Sequence, residues 1–176
     1  MKLSEYVLTF RLCVYTMTYM TSNPTRSLDL VDVENLLGTS SPDNPEAVVQ
    51  INQVLSHITS DIESSITNVA CSHRAAPVIS FAWASCKLHW RSGPDGADLA
   101  LIDAARQERL ERFTHLVIAS GDGIFAELAA EAASNGLHVI VVSHHHSLSN
   151  RLRLAANEVR YLPRANPILE VAAHAA

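Results

Sequence analysis

The stretch His115–Ser143, "HLVIASGDGIFAELAAEAASNGLHVIVVS", sets the fold class. It opens with a short apolar, β-branched run, "HLVIAS", and closes with a second one, "HVIVVS". Between them "GIFAELAAEAASNG" is rich in helix-forming Ala, Leu and Glu, with Gly136 placed to stop the helix in a left-handed turn. A strand, a helix of about ten residues and another strand form a crossover that pairs strands in parallel. Outward from this unit the pattern repeats. "LDLVDV", Leu28–Val33, reads as a first strand. Pro45 opens a helix that runs through "EAVVQINQVLSHITSDI", where Val48, Ile51, Val54, Leu55 and Ile58 recur at helical spacing. "PVISFAWAS", Pro77–Ser85, is short and apolar and reads as the second strand. "KLHWRSGPDGAD", Lys87–Asp98, carries two Gly and a Pro and reads as loop. The helical period returns in Leu99, Leu101, Ile102, Ala105 and Leu110. "SLSNRLRLAANE" adds a last helix and "VRYLP" a last strand. The expectation is an α/β fold, a three-layer sandwich around a mostly parallel, Rossmann-like sheet.

Composition agrees with a single packed domain. The chain has 176 residues, 48% hydrophobic and 6% aromatic, enough to bury a core of its own. A formal net charge of −5 gives no bulk attraction for nucleic acid, so polyanion binding would need a local patch or a bound cation. Three cysteines, Cys13, Cys71 and Cys86, have no paired close spacing and suggest free thiols in a reducing compartment. No run reaches the ~18 apolar residues of a membrane span. Arg11 interrupts the apolar N-terminal stretch, and no small-residue cleavage site follows cleanly, which argues against a signal peptide. The expected organisation is an N-terminal extension over residues 1–26, a domain over 27–163 and a tail over 164–176. The expected location is the cytoplasm.

In parallel sheets the functional edge lies at the C-terminal ends of the strands. Asp32 ends the first strand, with Asn35 one turn on. Ser120 and Asp122 follow "HLVIA", and Asp98 stands at a loop-to-helix junction in "PDGADLALID". Each has an ordinary structural explanation. Asp32 suits a helix cap, Asp122 a tight turn, and Asp98 the positive end of a helix. Their shared position at strand exits favours a site. Three carboxylates gathered there would repel one another unless a cation neutralised them, and Mg²⁺ or Mn²⁺ prefers such oxygen ligands. Asp103, about 140° further round the helix from Asp98, belongs to the surface or to a supporting layer.

The segments "LVDVENLL", "GADLALIDAA" and "HLVIASGDGIFAELAAEAASNGLHVIVVS" together resemble the NYN family of PIN-like nucleases, from about Ser27 to Pro163. An Asp-x-x-Asn-like element falls on Asp32 and Asn35. A Gly-x-Asp element falls on Gly96 and Asp98, with Asp103 at a further family acid. A Ser-Gly-Asp-x-Asp-Phe element falls on Ser120, Gly121, Asp122 and Phe125. One position departs: Ile124 stands where the family has its second Asp, and an aliphatic side chain cannot ligate a metal. The resemblance implies a PIN-like fold and Mg²⁺- or Mn²⁺-dependent cleavage of RNA phosphodiesters, as in a bacterial-type ribonuclease. Asp32, Asp98 and Asp122 would hold the metal, and Asn35 and Ser120 would position phosphate or water. Glu34, Asn35 or waters would replace the donor missing at Ile124. The alternative is a catalytically weak module of the same fold that binds RNA or protein. An aspartyl-phosphate enzyme ranks last, because Glu34 stands where that chemistry wants a second Asp.

Residues around this edge could contact RNA. Trp90 and Arg91 lie in a basic, aromatic segment of the kind that stacks bases and pairs phosphates. His144, in "SHHHSLSNRLR", and Arg151 on the next helix could add phosphate contacts, though exposed loop and helix faces explain them equally well. RNA is the expected partner, with no membrane, and the sequence leaves a homodimer open.

Overall fold

Every strand of the sheet alternates its side chains between two helical layers, so a strand covered on both faces must be apolar nearly throughout. In the computed structural model, which describes residues 24–39, 42 and 44–163, this is how the sheet is built. Strand β1 (Arg26–Asp32) sends Leu28 and Leu30 to one layer and Val31 to the other. Helices α1 (Val33–Leu37) and α2 (Pro45–Ile58) follow it. Then come β2 (Ser64–Cys71), α3 (Ala76–Ala82), β3 (Lys87–Trp90) and α4 (Gly96–Gln107). Strand β4 (His115–Ala119), α5 (Ala126–Ser134), β5 (His138–Ser143), α6 (Asn150–Ala155) and β6 (Glu158–Tyr161) complete the chain.

All five strand pairings are parallel, in the order β3-β2-β1-β4-β5-β6. Val31, Val69, Val117, Val142 and the apolar faces of α1, α2 and α3 form one core. Leu28, Leu30, Leu116, Ile118, Val141 and the faces of α4, α5 and α6 form the other. Each fully buried Leu, Ile or Val contributes roughly 1.5–3 kcal/mol, so the two cores carry most of the folding free energy.

Two expectations from the sequence need correction. Pro77–Ser85 is not the second strand: residues Ala76–Ala82 form α3, with Pro77 in its first turn, where a missing N–H costs nothing. Ile79 and Trp83, four apart, face the core, while Phe81 is exposed, the pattern of a helix face. The second strand is the more polar "SSITNVAC". Its first half escapes a search for apolar runs because Ser65 and Thr67 line a cavity instead of dry core. Lys87–Trp90, expected as loop, is the edge strand β3, paired with β2 from Asn68 to Cys71. A four-residue edge strand with Lys at its start carries little periodicity to read.

Gly136 takes φ +86°, and Leu137 N–H reaches back to the Ala132 carbonyl at 3.1 Å, closing α5 as expected. Cys71 and Cys86 are free thiols, and burial pushes Cys71 up to about 12, so that thiol is inert at neutral pH. Among the described residues no helix is long and apolar enough to cross a membrane. The expectations for Cys13, for residues 1–23 and for residues 164–176 lie outside the described residues.

Candidate functional site

The chain leaves β1 toward β2 on one side and leaves β4 toward β5 on the other, although β1 and β4 are neighbours. The order of strands reverses between them, and such a point opens a crevice beyond their C-terminal ends. Asp32 is the last residue of β1, and Ser120 and Asp122 follow β4 directly. Helix α4 packs against β1 and β2 and delivers Asp98 from its first turn.

Local structure explains how each group is held. Asp32 caps α1: the Asn35 N–H donates to its Oδ1 at 3.1 Å. The Ser120 hydroxyl donates to Asp32 Oδ2 at 3.2 Å and accepts from the Asp122 N–H at the same distance. Asn35 Oδ1 accepts from the Gly121 N–H at 2.9 Å, joining α1 to the turn after β4. Asp122 folds its own turn by accepting from the Ile124 N–H at 2.9 Å. On the other side Asp95 adopts a left-handed conformation, φ 52°, just before α4. A Cβ at Gly96 would stand 2.4 Å from the Arg91 carbonyl oxygen, so only glycine lets α4 start there.

The electrostatics centre on Asp32 and Asp98, 4% and 9% exposed. Each carboxyl group is buried and feels the other, so the ionised form of one disfavours the ionised form of its neighbour. Burial, then the Asp98 charge, pushes Asp32 up to about 8. Asp98 is raised as well, by burial first and by the charges of Asp122, Asp95 and Glu34. Asp98 Oδ1 is buried with no hydrogen-bond partner.

These features test the fit of a divalent cation. A buried carboxylate pair with an unsatisfied oxygen, in a field of three further acids, is a donor set of hard oxygens held together against its own repulsion. Among the described residues no three His, Cys, Asp or Glu side chains are grouped so that they could hold an ion. The expected three-carboxylate cage is therefore not preformed: Asp32 and Asp98 meet, while Asp122 acts on Asp98 through space and is exposed. Mg²⁺ commonly takes one or two carboxylates and keeps waters, so Asp32 and Asp98 fit it without a third ligand.

The remaining sequence candidates fall into different environments. Ser120 is fully buried and both its bonds stay within the site, so it braces Asp32 and the Asp122 turn. Glu34, a suggested replacement ligand, is engaged elsewhere, its Oε1 accepting from the Ser72 N–H at 2.8 Å. Ile124 packs against the α4–α6 core, which is where its apolar side chain goes in place of a ligating acid. Asp103 is on the surface, 3.3 Å from Arg91. Trp90 is 55% exposed and lines, with Arg91, an open groove between β3 and α4.

His144 donates from Nε2 to the Leu36 carbonyl at 2.9 Å and anchors its loop. Its neighbours His145 and His146 lie beside it, His145 exposed and 5.0 Å from the Tyr161 ring. Arg151 is exposed on α6. Sequence reasoning did not use Asp95. The "PDG" turn was its signal, since Asp tolerates the left-handed conformation that aims α4 at the site.

The family model described as NYN domain, a PIN-like nuclease family, matches residues 30–163. A crystal structure of a protein of unknown function from Vibrio parahaemolyticus superposes with a TM-score of 0.56 at 15% identity, covering 82% of this chain and 98% of that one. Among curated proteins none matches.

Proposed function

The chain belongs to the NYN domain family, and on that premise we propose that it is a divalent-metal-dependent ribonuclease that hydrolyses phosphodiester bonds at the crevice between β1 and β4. The observation that carries the proposal is the buried Asp32–Asp98 pair, with Asp98 Oδ1 unsatisfied, at the strand-order reversal. Mg²⁺ or Mn²⁺, when bound, would polarise the scissile phosphate and acidify an attacking water.

The chain's own residues do the rest. Asp32 and Asp98, in their ionised forms, would present oxygens to the cation. Asp122, exposed at the mouth, adds charge or a water-mediated contact. Asn35, whose Oδ1 is held by Gly121, turns its amide nitrogen to a phosphate oxygen. Ser120 keeps Asp32 oriented without meeting substrate. Trp90 offers a face for one base of a single strand, and Arg91 and Arg151 track the backbone on either flank.

The test is incubation of mixed RNA with Mg²⁺ or Mn²⁺, comparing wild type with Asp32→Asn and Asp98→Asn. Cleavage by wild type that disappears with EDTA and in both variants supports the proposal. Metal-independent cleavage, or cleavage unchanged in Asp32→Asn, refutes it. Ile124 favours a second reading, a binding module with a weakened metal site. RNA binding that persists in EDTA, with no cleavage under any metal, selects that reading.

A further inference from the structure

Away from the carboxylate crevice, a cavity of about 210 Å³ lies between α2 and the face of strands β1, β2 and β4. Asp29 forms its floor, flanked by Ser27, Ser65 and Thr67; Leu55, Ile62 and Trp83 supply apolar walls. Asp29 stands in the middle of β1, which has a neighbouring strand on each side. The Ser27 hydroxyl donates to its Oδ1 at 2.5 Å and the Thr67 hydroxyl to its Oδ2 at 3.4 Å. No cation among the described residues forms an ion pair with it.

A purely structural role does not account for the charge. A Ser or Thr in place of Asp29 could bond the same hydroxyls without the cost of desolvating a carboxylate. Hydroxyls arranged around a lone carboxylate, with hydrocarbon walls beside it, form a pocket with few convergent polar groups and an apolar body. The space equals about seven waters by their share of liquid volume, enough for a small organic molecule. We propose that this cavity binds a small organic cation, its ammonium on Asp29 and its hydrocarbon body against Leu55, Ile62 and Trp83. Its lining includes the exposed Ser56 and Ser65, and it lies on the α2 face of the sheet whereas Asp98 comes from α4 on the other face, so it is separate from the crevice and independent of the nuclease reading.

The experiment titrates the intact protein with benzylamine and, in parallel, with benzyl alcohol, its uncharged counterpart. Thermal unfolding and amide NMR shifts are the readouts. Benzylamine is expected to raise the melting temperature and to shift amides of Ser27–Val31 and Ser65–Thr67, with benzyl alcohol weaker by about tenfold or more. Asp29→Asn, which removes the charge and keeps one acceptor oxygen for the hydroxyls, abolishes the preference for the amine. Ser56→Phe, at the exposed mouth on α2, blocks both compounds while leaving the floor intact. Equal binding of amine and alcohol, unchanged amine binding by folded Asp29→Asn, or no amine binding by wild type overturns the proposal. A cavity that crystals show filled only by water, undisplaced by benzylamine, does the same.

Discussion

Replacing Asp32 with Asn should make the metal-free protein more stable while abolishing the proposed cleavage. An unfolded Asp titrates near 3.8, and burial with the nearby Asp98 charge lifts Asp32 to about 8 in the fold. The sign follows from proton counts. Between those two values the folded state holds a proton that the unfolded state has released, so stability falls as pH rises through the window. At pH 7 the loss from a shift of that size is on the order of 4 kcal/mol at 1.36 kcal/mol per unit. Effective dielectric constants near 20, even at buried sites, trim such figures, leaving about 2 kcal/mol. For a chain of 176 residues this is a rise of about 4–8 °C in Tm. The carboxamide that Asp32→Asn introduces can still accept the Asn35 N–H with its oxygen, so the cap survives, while its NH₂ group replaces the oxygen that accepts from Ser120. The assay is thermal unfolding in EDTA at pH 4, 6 and 8. The gain should be near zero at pH 4 and largest at pH 8. A variant that melts at or below wild type at pH 8, or a gain that does not shrink toward pH 4, refutes the picture of a strained carboxylate pair.

The same pair governs cation binding: because its proton must leave, apparent Mg²⁺ affinity should rise about tenfold per pH unit below pH 8, with one proton released, measurable by calorimetry in buffers of different ionisation heat. Ile124→Asp, restoring the family acid beside Asp122, should tighten Mn²⁺ binding and raise cleavage while lowering stability by about 1–3 kcal/mol, since a charge replaces a side chain packed on the core. Gly121→Ala places a Cβ 2.4 Å from the Ser147 carbonyl oxygen and should cost about 1–3 kcal/mol in denaturant unfolding. Trp90→Ala should weaken single-stranded RNA binding by about 1–3 kcal/mol without altering Tm, as read by fluorescence anisotropy.

How much of this is legible in the sequence depends on where physics leaves a local mark. The βαβ unit at His115–Ser143 is readable, because strands buried on both faces must be apolar at nearly every position. Asp32, Asn35, Ser120 and Asp122 can be found because sheet topology fixes which ends of strands meet. Strand β2 is hidden because Ser65 and Thr67 face a polar cavity, and α3 reads as a strand because a seven-residue apolar run has no period long enough to decide. The separation of roles within the site is also invisible. That Asp98 pairs with Asp32 while Glu34 turns to Ser72 depends on side-chain direction after two different crossovers.

The turn holding Asp122 and the histidine segment behind it are stitched by the Ser149 N–H to the Gly121 carbonyl at 2.8 Å, with Gly121 pressed too close to the Ser147 backbone for any Cβ. One wall of the crevice is consequently a single slab built from two distant loops. That wall is in place before any ligand arrives, so a molecule binding there would meet a surface already set, and little binding energy would go into ordering it.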